Sequence, residues 1–207
     1  MAINSKNNSL RDKILEQAWC LIMDKGLHAL SFREVAKTCN VSHNAPYKYF
    51  NNQFSLLCAL SAQGFELLDT QINITKNNHP LDPVKQLIES GVAYVNFAIN
   101  HEHIFELMFG KKIPLTNIDE HLFEKSLQSF SSLEKIIIDG QKENIFLIDD
   151  SRKTALACWA LVHGIASLFI SQRMNPLSQN VCNSPLEFTF ELCSKFAHSL
   201  CHKEANN

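Results

Sequence analysis

Glycine and proline are scarce in this sequence, with six of each among 207 residues. That scarcity excludes a collagen-like or low-complexity chain, which would need far more of both residues. After residue 83 no stretch alternates apolar and polar residues with the two-residue period of a half-buried strand. Since 45% of the residues are hydrophobic, the chain can bury a core of ordinary size. We therefore predict an all-α protein.

Motifs of catalysis and of metal binding are also missing. The chain has no glycine-rich phosphate loop, no G-x-S-x-G, no H-E-x-x-H and no pair of acids at a familiar spacing. The seven cysteines are scattered without a C-x-x-C pair, which is typical of small buried side chains, with a redox sensor as the alternative. We predict that the protein is not an enzyme and uses no cofactor and no metal.

Membrane-targeting features are not evident in the sequence. The first eight residues are polar and lack the apolar centre of a secretion signal. We also expect no apolar run as long as a bilayer requires, and hence a cytoplasmic protein without membrane contact. The net charge is −2, but the first fifty residues carry seven Lys and Arg against four Asp and Glu. A positive head on an acidic body is expected when one end meets nucleic acid.

One stretch near the N-terminus has the pattern of two short helices joined by a tight turn. Ser31 opens the S-x-x-E pattern of a capping box, which predicts a helix start there. Asn40 stands where that helix must stop, because Asn tolerates the left-handed backbone of such a turn. Ser42 is the predicted cap of a second helix, and Pro46 fits its first turn. The alternative is a plain helical hairpin with a polar outer face.

An amphipathic helix precedes this stretch and is predicted from about Ser9 to Lys25, with Gly26 as its stop. It would brace the two short helices, which have too little core to be stable alone. The exposed positions of the second helix carry hydrogen-bond donors, a cation and aromatic hydroxyls. These groups suit base edges and phosphates.

The order and spacing of these elements resemble the N-terminal domain of the TetR family of transcriptional repressors. The resemblance covers about the first sixty residues and rests on Lys25-Gly26-Leu27, Leu30-Ser31-Phe32-Arg33-Glu34-Val35-Ala36, Asn40-Val41-Ser42, Tyr47-Lys48-Tyr49-Phe50 and Leu56-Leu57. It implies that Tyr47 leans on the DNA backbone and thymine methyls and that Lys48 and Tyr49 reach phosphate. The resulting candidates for binding double-stranded DNA are Ser31, Arg33, Ser42, His43, Asn44, Tyr47, Lys48, Tyr49 and Gln53.

Two positions depart from the family pattern. Asn40 stands where the family usually has Gly, which the left-handed conformation tolerates at modest cost. Gln53 stands in place of a phosphate-binding Lys at the start of helix 4, and its loss should flatten the salt dependence of binding by about one unit. Gln53 can still donate to a phosphate.

The remainder of the chain is predicted to form a larger helical bundle. We expect a helix-turn-helix domain over residues 1–55, joined by helix 4 to a C-terminal ligand-binding and dimerisation domain over 56–207, with about nine helices in total. Helix 4 should begin at Gln53, and the polar stretch from Thr75 to His79 should form a loop.

Two stripes on the last two helices are candidates for a dimer face. Small residues at helical spacing allow a neighbouring backbone to approach closely. Both stripes could instead pack inside one protomer, but the resemblance implies a four-helix bundle between two copies, and a two-half-site operator requires a dimer. The candidates are Ala157, Ala160 and Gly164, and Phe188, Leu192 and Phe196.

Aromatic residues in the body indicate either a ligand pocket or core packing. Trp159, His163 and Gly164 further resemble a TetR subgroup known by a Trp-His-Gly signature. Trp159 and His163 face the same way at i, i+4 and could line a cavity or be satisfied core residues. The pocket candidates for a small hydrophobic effector are Tyr94, Phe97, Phe105, Met108, Phe109, Phe123, Phe130, Trp159 and His163.

These features predict a ligand-responsive transcriptional regulator, acting as a repressor, that binds a palindromic operator as a homodimer and is released by a small-molecule effector. The alternative is an all-helical small-molecule-binding protein or enzyme whose head does not bind DNA. A third hypothesis is a DNA-bound regulator that responds to a protein partner.

Overall fold

The computed structural model describes residues 9–174 and 184–202, and these residues form eight α-helices. Within them there is no β-strand, and one isolated antiparallel bridge joins Phe146 to Cys201. The predicted all-α class is confirmed, with eight described helices against the nine or so expected. The helices are α1 Leu10–Lys25, α2 Phe32–Cys39, α3 Gln53–Asn78, α4 Pro83–Asn100, α5 Glu102–Phe109, α6 Glu120–Lys142, α7 Ser151–Ile170 and α8 Pro185–Ser199.

The described chain divides into two compact units. The first holds the residues up to Gly64 together with His101–Glu124, and the second holds Phe65–Asn100 and the residues from Lys125 onward. This division groups α5 with the N-terminal helices, and the domains 1–55 and 56–207 stay a prediction. A boundary drawn from sequence alone keeps each domain continuous and so could not include a segment from the middle of the chain.

In the first unit, α1 packs against both α2 and α5. Its start is fixed by a complete capping box, in which Ser9 Oγ accepts from the Asp12 N–H and the Asp12 carboxylate accepts from the Ser9 N–H. Ile14 and Ile22 are fully buried. Lys13 Nζ donates to the Cys39 carbonyl at 3.0 Å, which ties α1 to the end of α2. The brace predicted for the short helices is therefore present.

In the second unit, α4 packs against α7 and α8. The approach is close at Gly91, where an added β-carbon would lie 2.6 Å from Cys193 Sγ. A β-carbon at position 91 would therefore force the Cys193 side chain to shift. The glycine at this position permits the helix contact on which this unit is built.

The polar stretch from Thr75 to His79 was predicted to form a loop. This prediction is wrong, because α3 continues to Asn78. Thr75 is buried, and its Oγ1 lies 2.8 Å from Ser90 Oγ on α4. His79 Nε2 is 2.8 Å from Glu89 Oε1. The helix continues through Thr75 because α4 supplies a partner for its buried side chain, which the local sequence does not reveal.

Helix α7 also corrects the expectation that no apolar run reaches bilayer length. It has 20 residues with a mean hydropathy of 1.5, enough by length and composition to cross a membrane. A core helix of a soluble protein meets the same criterion. One face of α7 is buried, through Ala155, Cys158, Val162, Ile165 and Ala166.

Candidate nucleic-acid interface

Helix α2 is the regular part of the predicted helix-turn-helix. Ser31 is its N-cap, with Oγ accepting from the Glu34 N–H at 3.2 Å. The helix packs through one face, formed by Phe32, Val35, Ala36 and Cys39, and leaves Arg33 and Lys37 exposed. The predicted start and amphipathic pattern of this helix are therefore present.

The turn after α2 has the left-handed backbone expected from Asn. Asn40 has φ 55° and ψ 48°, and its N–H donates to the carbonyls of Ala36 and Lys37. The Val41 N–H also donates to the Ala36 carbonyl, at 3.0 Å. These bonds satisfy the carbonyls of Ala36 and Lys37 in the last turn of α2 and reverse the chain.

The second helix of the motif differs from the prediction. Residues 42–50, called here the exposed segment, contain only a 3₁₀ turn at Pro46–Lys48, and the residue before that turn is Ala45, not Ser42. Pro46 has no N–H to offer the Ser42 carbonyl, which accepts instead from the Ala45 N–H at 2.9 Å. The bond to residue i−3 tightens the segment.

Three side chains of the exposed segment are buried and anchor it, and the other six are exposed to solvent. Ala45, Pro46 and Phe50 are buried, and Arg11 lies over the Phe50 ring at 5.4 Å. The other predicted DNA-binding residues of the segment are all exposed: Ser42, His43, Asn44, Tyr47, Lys48 and Tyr49.

The Tyr47 side chain is exposed, and a ring contact with α2 orients it. It is 52% exposed, yet its ring meets the buried Phe32 ring edge-on at a centroid distance of 4.7 Å. The His43 ring lies 6.2 Å from the Tyr47 ring. The contact with α2 therefore orients an aromatic side chain that solvent can still reach.

A cleft of about 310 Å³ lies beside Tyr47 in the first unit. Five predicted DNA-binding residues line it together with two others; the seven are Ser31, Phe32, Arg33, His43, Tyr47, Asn52 and Gln53. Asn52 was missed by the sequence analysis. Its signal is the N-x-x-S pattern, since Asn52 Oδ1 accepts from the Ser55 N–H and Ser55 Oγ accepts from the Asn52 N–H.

Gln53 has a structural role that its sequence position did not reveal. Its Nε2 donates to the Leu30 carbonyl at 2.8 Å, which ties the start of α3 to the residue before the N-cap of α2. An amide nitrogen carries two hydrogens. One remains for the phosphate contact predicted at this position.

Three pocket candidates form a hydrogen-bonded group in the second unit. The Trp159 Nε1–H donates to Tyr94 Oη at 3.1 Å, and Tyr94 Oη lies 2.8 Å from His163 Nδ1. Burial lowers the pKa of His163, and burial raises the pKa of Tyr94 although the Trp159 hydrogen bond opposes that rise. Both side chains are therefore favoured in their neutral forms.

The other pocket candidates are divided between the units. Phe97 and Phe130 belong to the second, and the Phe130 ring meets the Trp159 ring edge-on at 6.3 Å. In the first unit the Phe105 and Phe109 rings are 4.8 Å apart, Met108 packs at Gly64, and Phe123 is 49% exposed. The effector pocket thus stays a prediction.

Across the described residues, no three His, Cys, Asp or Glu side chains are grouped to hold a metal.

The stripe of small residues on α7 lies on the helix face opposite the buried one. Ala157, Ala160 and Gly164 are exposed, and a β-carbon added at Gly164 would meet nothing within 4 Å. Leu156 and Leu168 flank the stripe, 45% and 42% exposed. This face is apolar and accessible in the single chain.

The stripe on α8 is less accessible. Phe188, Leu192 and Phe196 are half-buried, and the Phe188 ring meets Phe169 of α7 at 6.0 Å. The buried face of α8 is formed by Thr189, Cys193 and Ala197, one position further along. The predicted stripe therefore packs partly inside the protomer.

The first unit combines a regular helix, a left-handed turn and an exposed cluster of donors and aromatics, which together define a helix-turn-helix DNA-binding head on an all-helical chain. The family model "Bacterial regulatory proteins, tetR family" matches residues 14–60, and "Tetracyclin repressor-like, C-terminal domain" matches residues 87–184. The chain belongs to the TetR family of transcriptional regulators. Its place in the Trp-His-Gly subgroup stays a prediction.

The chain is similar to one relative in sequence and to two solved structures. The chain is 24% identical over 145 residues to "Probable HTH-type transcriptional regulator YttP" of Bacillus subtilis (strain 168), covering 67% of this chain and 68% of that protein. A protein of unknown function from Rhodococcus sp. RHA1 superposes with a TM-score of 0.82 at 26% identity, covering 96% of this chain and 98% of the other. A TetR-family regulatory protein from Rhodococcus RHA1 has the same fold, with a TM-score of 0.68 at 18% identity, covering 95% and 100%.

Proposed function

We propose that this regulator is a cytoplasmic repressor that binds a palindromic operator as a homodimer, is released by a small hydrophobic effector, and acts by binding rather than by catalysis. The observation that carries the proposal is the exposed segment. Its six polar and aromatic side chains face solvent while Ala45, Pro46 and Phe50 anchor it.

The exposed segment has the chemistry of a DNA-reading surface. Lys48 and the hydroxyls of Tyr47 and Tyr49 suit phosphate contacts, and the His43 and Asn44 side chains suit base edges. The N-terminus of α2 adds backbone N–H groups beside Ser31, which favour a phosphate. We infer that Tyr47, directed by Phe32, enters the major groove with His43 and Asn44.

The exposed face of α7 supports the homodimer. Two copies that pair through Ala157, Ala160 and Gly164 would bring two helices close together, because small residues permit close backbone approach. An isologous pair of this kind has the two-fold symmetry of a palindromic operator, whose half-sites lie about 34–36 Å apart on one side of the duplex. Phe190 of α8, 51% exposed, adds an apolar side chain that the sequence analysis did not select.

The hydrogen-bonded group in the second unit supports the effector. A ligand site requires a few placed polar groups among apolar walls, and Tyr94, Trp159 and His163 supply them beside the Phe130 ring. An effector that binds one state more tightly shifts the population of the DNA-bound form, and about 1–3 kcal/mol of coupling is typical.

Selection of bound sequences from random duplexes tests the DNA-binding part. We expect a palindrome for the wild-type chain and, on the selected duplex, loss of binding by the Tyr47→Ala/Lys48→Ala variant. Lys142→Ala, which also removes an exposed cation but lies on α6, is the matched control and should bind normally. Failure of the wild-type chain to select any sequence at low salt would refute the proposal.

Sedimentation equilibrium tests the dimer. Ala160→Glu places a charge in the centre of the exposed α7 face and should shift the chain to monomers. Ser131→Glu adds the same charge at an exposed position of α6 and should leave the dimer intact. If the Ala160→Glu variant keeps the mass of the wild-type dimer, the dimer face does not include this surface of α7.

A further inference from the structure

One face of α8 is exposed and carries ionisable side chains. Its residues follow one another at steps of three or four, which places them on one side of the helix. They are Glu187, Glu191, Lys195 and His198, and all four are exposed. Phe190, 51% exposed, borders them. This charged face lies opposite the face through which α8 packs in the second unit.

The two outer residues of the charged face are explained by α8 itself. Glu187 lies in the first turn and His198 in the last, where the helix dipole favours an acidic and a basic side chain respectively. Glu191 and Lys195 lie in the middle turns, and the effect of the dipole falls off within one turn of each end. The helix dipole therefore does not account for these two charges.

Neither central charge is used within the chain. Glu191 and Lys195 stand at i, i+4, a spacing at which an acid and a lysine can pair on a helix. Yet among the residues that the structure describes, no ion pair includes either side chain. Both charges are thus available to a partner.

The order of the two charges makes the face complementary to itself. A two-fold axis at the level of residue 193 turns a second α8 antiparallel to the first, and Glu191 of each copy then lies opposite Lys195 of the other. The two positions are about 6 Å apart along the helix, so both opposite pairs form at once beside the axis. A parallel pair in register would instead place Glu191 against Glu191 and Lys195 against Lys195.

The charged face adjoins α7. Lys195 follows Phe188 by seven residues and therefore lies on the same side of α8. The Phe188 ring meets the Phe169 ring of α7 at 6.0 Å. An interface formed by the exposed face of α7 can therefore extend onto the charged face of α8.

We propose that Glu191 and Lys195 select the partner of this chain, by pairing with Lys195 and Glu191 of a second copy whose α8 runs antiparallel. The proposal rests on the homodimer proposed above. Charges at an interface decide partner choice more than they add affinity, because a wrong partner meets like charge. A chain of the same fold with the two charges in reverse order meets like charge at both contacts and is rejected.

Charge reversal in the full chain tests this pairing, with dimer dissociation constants measured by sedimentation equilibrium in low salt. Glu191→Lys and Lys195→Glu each place like charges opposite one another twice, so each variant alone should have a dissociation constant about tenfold or more above that of wild type. An equimolar mixture of the two variants restores two opposite pairs and should form a mixed dimer as tight as the wild-type dimer.

Two further variants make the test specific. The combined variant Glu191→Lys/Lys195→Glu should dimerise with itself but not with the wild-type chain. Lys142→Glu, which reverses an exposed charge on α6, should dimerise as wild type does. In about 1 M salt, where charges are screened within about 3 Å, the dissociation constants of both single variants should approach that of wild type.

The outcomes separate this inference from the homodimer. Single variants that dimerise as tightly as wild type in low salt overturn the inference and leave the homodimer standing. The same conclusion follows if the mixture is no tighter than either variant alone, because a loss that opposite charge does not repair is damage to the helix. A wild-type chain that is a monomer overturns both.

Discussion

Helix α2 and the exposed segment are neighbours in the first unit, and they use their side chains in opposite ways. In α2 half of the eight residues are buried, and the backbone is regular. In the exposed segment six of nine side chains face solvent and the backbone is held by a 3₁₀ turn around Pro46. The difference shows that α2 stabilises the first unit by packing. The exposed segment can therefore present polar and aromatic side chains to solvent.

The largest effect should come from Phe32, where the two regions meet. Phe32→Ala removes a buried ring and should lower the free energy of unfolding by about 3–5 kcal/mol, and it removes the surface that directs Tyr47. Urea denaturation of the full chain measures this loss. Tyr49→Ala removes an exposed ring of similar size and should change stability by about 0.5 kcal/mol at most. Equal losses in the two variants would contradict the comparison.

The next effect should come from the turn between the regions. Asn40→Ala places a residue without a local hydrogen-bonding side chain in the left-handed conformation, which should cost about 1–2 kcal/mol. Asn40→Gly should leave stability unchanged or raise it, because glycine adopts this conformation without strain. Thermal unfolding of both variants beside the wild-type chain tests the assignment, and a stable Asn40→Ala would show that the turn relaxes.

Ser31 belongs to both the scaffold and the candidate interface. Ser31→Ala removes the N-cap of α2 and should cost about 1 kcal/mol. Ser31→Asp retains a capping acceptor and should restore stability, yet its charge should repel phosphate and weaken DNA binding. Parallel measurements of unfolding and of binding separate the two roles. A variant Ser31→Asp that binds DNA as tightly as wild type would remove Ser31 from the interface.

The smallest effect should come from Gln53. Gln53→Lys supplies a cation where the family usually has one, and the plot of log K against log salt should steepen by about 0.9. It also replaces the donor to the Leu30 carbonyl, so stability should fall slightly. Binding titrations at several salt concentrations measure the slope, with Lys142→Ala as a variant whose slope should equal that of wild type. An unchanged slope for Gln53→Lys would place this position away from phosphate.

Much of the head could be predicted from local chemistry. The N-cap at Ser31, the left-handed Asn40 and the exposure of the residues around Tyr47 each follow from a few neighbouring side chains. The α-helix predicted from Ser42 was wrong because a single missing N–H at Pro46 changed the hydrogen bonding of the whole turn. The cleft could not be predicted, since it brings together α2, the exposed segment and the start of α3.

The second unit was harder to predict, because its helices depend on side-chain partners that are distant in sequence. The segment around Thr75 was expected to be a loop, and it is helical because Ser90 on α4 is a hydrogen-bond partner for the buried Thr75 side chain. Asp69 is similar, being buried on α3 with hydrogen bonds from Gln128 and Ser132 on α6. Polar residues in a helix can be placed only when the opposing surface is known.

By itself the sequence determined the helical class, the first helices with their caps, and the membership of a family whose head reads DNA, because these depend on periodicity and on short-range hydrogen bonds. The tertiary structure alone decided that α5 belongs with the head, that Gln53 fastens α3 to Leu30, and that one face of α7 is buried while the other is exposed. Those outcomes depend on which surfaces meet across long separations along the chain, and no local pattern records that.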